Sequence, residues 1–194
     1  ARQRTLTAVI EWSWNLLDPA ERRAMARLAL LADGFTLAAA EALVGAQAAD
    51  LLDALVSHSL LVVRDRGLPR FHMLVTVRDF ALEQLSASGD EVAARAALHE
   101  WAVDLCSQIR FPIDAGDFGD VSHPESRHHD RLFQEVAHNE AVILQQLDRL
   151  LARADDYGSD RLPADLRDAI CFIGAALMRL WSVTWSYERI ADYG

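Results

Sequence analysis

Histidine, carboxylate and arginine groupings are the parts of this sequence that could do chemistry. His123, His128, His129 and Asp130 fall within eight positions and carry metal-ligating atoms. A zinc site needs three or four convergent ligands. Adjacent His128 and His129 point in different directions on any regular element and have no Cys nearby, so no metal is expected. Asp155 with Asp156, and Asp165 with Asp168, are paired carboxylates. General acid–base work requires an apolar pocket that shifts a carboxyl pKa, and these pairs sit in turn-like or exposed-face sequence. No Ser-His-Asp or Cys-His pattern is present, so the chain reads as non-enzymatic. Cys106 and Cys171 both lie among helix-forming apolar residues and read as reduced core positions. Trp12, Trp14, Trp101, Trp181 and Trp185 read as core anchors. Trp181 and Trp185 share a helix face that a following segment could cover.

Arg64, Arg66 and Arg70 cluster around Asp65-Arg66-Gly67-Leu68-Pro69, a turn between two apolar runs. Arginines on a hairpin tip can touch nucleic-acid phosphates. The wider charge pattern opposes that use. Residues 1–89 hold 9 Arg against 10 acids, and residues 90–194 hold 10 Arg against 19 acids, giving net charges of −1 and −9. There is no Lys. An acidic surface repels a phosphate backbone.

The elements that must position these groups follow from periodicity. Apolar spacing predicts a helix over Thr5–Leu17. Asp18-Pro19-Ala20-Glu21 is a capping-box start for a second helix, which should stop at Asp33-Gly34. Thr36 should cap a short helix to Val44, and Asp50 one carrying Leu51, Leu52, Leu55 and Val56. The pattern then changes. Leu60 to Val63 and Arg70 to Leu74 read as a β-hairpin, with a short strand near Phe35. Thr76 should cap the next helix, through Val77, Phe80, Ala81 and Leu85. The expected fold class is mainly α: a winged helix over residues 1–88, then a helical domain over 89–194. In the second domain, Glu91–Arg110, Asp130–Arg153 and Pro163–Tyr187 read as helices, and 111–129 as an irregular loop. The longest near-continuous apolar run, Ala169–Met178, is ten residues, about half of a membrane span. No secretory signal opens the chain. It starts at Ala1 without an initiator Met and ends within helical sequence, so it reads as an excised piece of a larger cytoplasmic protein.

In a DNA-binding winged helix, the helix before the wing supplies cations or amides to base edges. Here that helix, Asp50 to His58, has Asp50 and Asp53 and no Arg. Direct DNA binding through Arg64, Arg66 and Arg70 is therefore the alternative, and a protein-facing switch is the first expectation.

Five stretches carry a resemblance to a known family: Arg2-Gln3-Arg4-Thr5-Leu6, Ala8 to Trp14, Leu17 to Arg22, Gly34-Phe35-Thr36-Leu37, and Leu74 to Ala81. Together they resemble the region after the nucleotide-binding domain of bacterial STAND-type, NB-ARC-containing transcriptional regulators, a group that includes SARP-related and large LuxR-type activators. Glu135 to Ala141 and Leu180-Trp181 are similar to the start of that family's tetratricopeptide-like helices. The resemblance implies a P-loop ATPase domain upstream that holds ATP or ADP, helical repeats downstream, and no cofactor in this segment. A G-x-x-x-x-G-K-[ST] loop cannot occur in a chain without Lys. In related switches a His near the last strand-to-helix junction touches the nucleotide phosphate, and His72 stands near that place. Aligning on Arg78-Asp79-Phe80-Ala81 puts Leu74 at the expected His position and Val75 at the family's acid. His72, Thr76 and Arg78 are the implied switch residues.

Overall fold

A computed structural model describes residues 2–31, 34–65, 69–109, 124–157 and 162–191, with side chains for these except 2–6, 65, 124–129 and 183–191. The elements are α1 (Arg2–Leu16), α2 (Pro19–Leu28), α3 (Leu37–Val44), α4 (Ala48–Ser57), β1 (Leu61–Asp65), β2 (Pro69–Met73), α5 (Val75–Ser88), α6 (Glu91–Ser107), α7 (Pro124–His138), α8 (Glu140–Asp155) and α9 (Ala164–Ala191). The protein is mainly helical, and its sheet among the described residues is the antiparallel pair β1–β2. None of the described helices is long and apolar enough to cross a membrane. Two compact units divide between His99 and Glu100, inside α6.

In the first unit, local chemistry sets the helix starts. The Asp18 carboxylate accepts from the Ala20 and Glu21 amides at 2.7 and 2.8 Å, and the Glu21 carboxylate accepts from the Asp18 amide at 2.8 Å. The capping box is therefore closed in both directions. Thr36 Oγ1 accepts from the Ala39 amide at 3.2 Å, as its position before an apolar run requires. α2 packs against α3, α4 and α5, and α1 against α5. Met25, Leu28, Leu31, Phe35, Leu43, Leu52, Leu55 and Leu85 are fully buried there. Each such side chain contributes about 1.5–3 kcal/mol of apolar transfer.

The hairpin runs in the register Leu61 opposite Met73, Val62 opposite His72, Val63 opposite Phe71 and Arg64 opposite Arg70. The Phe35 and Phe71 backbones exchange N–H···O bonds of 3.0 and 2.9 Å. Where a short strand is expected, near Phe35, the described chain has this isolated bridge and not a strand. The chain enters β1 through a Schellman-type exit from α4. The Leu60 amide donates to the Leu55 carbonyl, and Ser59 (φ 59°) donates to Val56. Ser59 thus holds the left-handed position that Gly usually takes.

Several expectations need correction. α2 ends at Leu28, before Asp33-Gly34. α4 begins at Ala48 with Gln47 at its cap position, which puts Asp50 in the first turn as a dipole partner and not a cap. α5 begins at Val75, because the Arg78 amide already bonds the Leu74 carbonyl at 2.8 Å. Thr76 is consequently a first-turn residue without a capping role.

In the second unit, Pro124 opens α7, so 124–129 are helical and not part of a loop; Pro is pre-organised for a first helical turn. Residues 110–123 lie outside the described set. The single helix expected over 130–153 is broken at Asn139 (φ −115°, ψ 20°). There Asn139 Nδ2 donates to both the carbonyl and the carboxylate of Glu135 at 2.9 Å, the side-chain competition that makes Asn a helix interrupter. α9 packs on α7 and α8. Leu105, Cys106, Ile109, Val136, Ile143, Leu150, Ile173, Leu177 and Leu180 form this unit's core.

Candidate functional site

The winged element presents three surfaces. The first is α4, reached from α3 through Gly45 (φ 83°), whose amide bonds the Glu41 carbonyl at 2.8 Å. Its exposed positions are Ala49, Asp50, Asp53 and Ser57. Two carboxylates and no cation therefore occupy the outward face of the helix that precedes the wing.

The second surface is the hairpin. Val62, Val63 and Arg64 of β1 are exposed. Arg70, across from Arg64, is half-buried and donates from Nη2 to the Gly34 carbonyl at 2.9 Å. That bond ties β2 to the turn before α3. Arg66 lies outside the described residues.

The third surface is the strand-to-helix junction. His72 is half-buried, and its ring fills the space where a side chain at Gly34 would stand. With φ +90° at Gly34, both the backbone and the His72 ring demand glycine there. Leu74 and Val75 are 56% and 72% exposed, an apolar pair turned to solvent. Thr76 is exposed as well. Arg78 is half-buried and donates from Nε to the Ala29 carbonyl at 2.8 Å. It closes the last turn of α2, so it holds α5 against α2. Of the sequence-derived switch residues, His72 and Arg78 are engaged within the unit, and Thr76 borders the exposed apolar pair.

One constellation escaped the reading from sequence. Asp90, between α5 and α6, accepts from Arg27 Nε and Nη2 at 2.6 and 2.8 Å and from Arg23 Nε and Nη2 at 3.0 and 3.1 Å. Side-chain exposure is 15% for Arg27, 18% for Asp90 and 63% for Arg23. The hydrogen bonds of Arg27, then of Arg23, hold the Asp90 carboxyl well below the usual carboxylate range. Arg27 also donates from Nη1 to the Leu43 carbonyl at 2.8 Å, linking α3 to the same clamp. The signal available was the i, i+4 spacing of Arg23 and Arg27; Asp90 read only as boundary chemistry.

Among the described residues no group of three or more His, Cys, Asp or Glu is placed to hold a metal ion. His123 and the His128 and His129 side chains lie outside that set, and Asp130 is exposed. Asp155, Asp156, Asp165 and Asp168 are all exposed. Cys106 is buried, and burial pushes its thiol up to about 12. Cys171 is exposed, unlike the core position expected for it, because it lies on the solvent side of α9. Trp12 is also a correction: it is 65% exposed on α1, beside exposed Val9 and Leu16. Trp14 instead packs edge-on against Phe80, with ring centroids 5.6 Å apart. Trp181 is 46% exposed and donates from Nε1 to the Glu140 carboxylate at 2.7 Å.

Residues 17–86 match the family model described as a winged helix-turn-helix domain. The chain carries that domain, and the helical elements from α6 onward follow it. It is 38% identical over 120 residues to proteins of Mycobacterium bovis and Mycobacterium tuberculosis H37Rv that are named as HTH-type transcriptional regulators; the match covers 58% of this chain and 14% of theirs. An uncharacterized protein of the same M. tuberculosis strain is 40% identical over 108 residues, covering 50% of this chain and 27% of its own. The chain thus spans about a seventh to a quarter of the length of these relatives. No solved structure matches.

Proposed function

We propose that this chain is a non-catalytic regulatory segment of a longer STAND-type transcriptional regulator working in the cytoplasm. In this reading the winged helix packs against an upstream nucleotide-binding domain that holds ATP or ADP. It links that domain to a tetratricopeptide-like array that begins in the helices after residue 88. The carrying observation is the outward face of α4, where Asp50 and Asp53 stand without any cation. Carboxylates turned toward phosphates weaken binding, whereas the exposed Leu74 and Val75 suit a protein surface. His72 and Thr76 border that surface, and Arg78 sets its position from within. A nucleotide-binding partner would contact the face in one nucleotide state and leave it in the other. Such couplings typically amount to about 1–3 kcal/mol, on the order of 5–150-fold in affinity.

The test is Val75→Glu in the full-length protein. Val75 is exposed, so the substitution leaves the core untouched, whereas Arg78→Ala would also remove the bond to Ala29. The expected outcome is ADP retention altered on the order of fivefold or more, with a parallel change in target-gene activation. If both readouts stay at the unsubstituted level, the assigned face is wrong.

The second reading is a direct DNA-binding winged-helix factor. The relatives' regulator names and the exposed Arg64 opposite Arg70 on the wing favour it; Arg66 would join them. In that reading the hairpin arginines touch phosphate and α4 contributes shape alone.

A further inference from the structure

We propose that the cleft between α1, α2 and the C-terminal end of α5 binds a small aromatic carboxylate. The cleft is open to solvent, has a volume of about 600 Å³ and is lined by Trp14, Arg22, Arg23, Gln84 and Ser88, among others, and by Asp90, whose charge is met by Arg23 and Arg27. That volume falls within the roughly 300–1,000 Å³ of small-molecule sites.

Arg22 is the reason for an anion. Its Nε donates to the Trp14 carbonyl and its Nη2 to the Asn15 carbonyl, each at 3.0 Å. Two backbone oxygens thereby fix the guanidinium in place without neutralising it. Among the described residues no carboxylate pairs with Arg22. Its remaining nitrogen, Nη1, is left to donate. The neighbouring Arg23 commits Nε and Nη2 to Asp90 and likewise keeps Nη1. Arg23 already has a carboxylate partner, so Arg22 is the guanidinium left to offer a charge-assisted bond to a carboxylate oxygen. The carbonyls and the Trp14 ring that hold Arg22 carry no formal charge, so the cation keeps its full charge for an anion.

Trp14 is the reason for an aromatic body. Its ring is held edge-on by Phe80, and the Arg22 guanidinium carbon stands 5.9 Å from its centroid. With Pro19 and Ala87 it forms the apolar part of the cleft's lining, beside which a flat ring gains burial. Gln84 and Ser88 supply polar edges for orientation.

The test uses the 194-residue chain and two probes of equal shape, 2-naphthoate and neutral 2-naphthamide, titrated by calorimetry. The expected result is millimolar-range naphthoate binding, on the order of tenfold tighter than naphthamide, as a charge-assisted contact implies. Gln84→Glu, which puts a negative charge into the cleft without touching the Arg22 bonds, should weaken naphthoate on the order of tenfold while the melting temperature holds. Arg22→Gln should erase the preference for the charged probe. Equal binding of both probes, naphthoate binding unchanged in Gln84→Glu, or no naphthoate binding up to about 10 mM would each overturn the site. Inorganic phosphate competing as well as naphthoate would also overturn it, because the aromatic wall would then contribute nothing.

Discussion

Replacing Phe35 with Ala should cost about 3–5 kcal/mol, the usual range for deleting a buried aromatic ring. Phe35 is fully buried and stacks on Phe71 with centroids 5.9 Å apart and planes 26° from parallel. Its backbone exchanges two hydrogen bonds with Phe71, and Thr36 beside it caps α3. The residue therefore joins the hairpin to the helix-turn-helix, and no neighbouring element can close the void without moving the wing. Small domains have only about 5–15 kcal/mol of stability, so the loss should be plain in urea denaturation followed by circular dichroism. The midpoint should fall with the slope unchanged. A loss under about 1 kcal/mol would mean that the wing is not anchored at Phe35.

The second large effect concerns Asp90. Asp90→Asn should destabilise the N-terminal unit by about 2–3 kcal/mol at neutral pH, the range for charge-assisted hydrogen bonds. It leaves Arg27, only 15% exposed, without its carboxylate. The pH dependence has a definite sign. The Asp90 carboxyl is depressed in the folded state, so its contribution is complete above the unfolded value, about 3.9. It is lost as the pH falls from there toward the folded value. The stability gap between the native chain and Asp90→Asn should therefore be constant above about pH 5 and narrow steadily below about pH 4. Other carboxylates act equally in both proteins and cancel in the difference. Thermal melts at a series of pH values measure the gap, and a gap that widens toward acid would contradict the clamp.

Much of this architecture was legible because short-range chemistry decided it. Asp18, Pro19 and Glu21 form a capping box from adjacent atoms, and the change from helical to alternating spacing at Leu60 marks the hairpin. What misled was competition among equally good local choices. Asp50 and Thr76 have capping side chains, yet the helices start earlier, at Ala48 and Val75, with Gln47 and Leu74 at the cap positions. Asn139 lies within an unbroken apolar pattern, and only its bonds to Glu135 divide α7 from α8. Trp12 obeys helical spacing but falls on the outer face of α1, because α5 packs on the side of Trp14. The Arg23–Asp90–Arg27 clamp joins residues more than sixty positions apart, beyond the reach of any spacing rule. For the junction surface, the sequence pointed to residues 71–78, and the exposure of Leu74 and Val75 emerged only from the packing.

A winged helix that faces protein, as proposed, should bind DNA no better than any acidic protein does. Fluorescence anisotropy of a labelled duplex titrated with the chain at about 0.15 M salt tests it most directly. The acidic face of α4 and the net −9 of residues 90–194 predict no binding tighter than the roughly 10⁻⁴–10⁻⁶ M of non-specific contacts. Tighter binding that disappears on Arg64→Glu or Arg66→Glu would contradict the account and establish the wing as a DNA-contacting element.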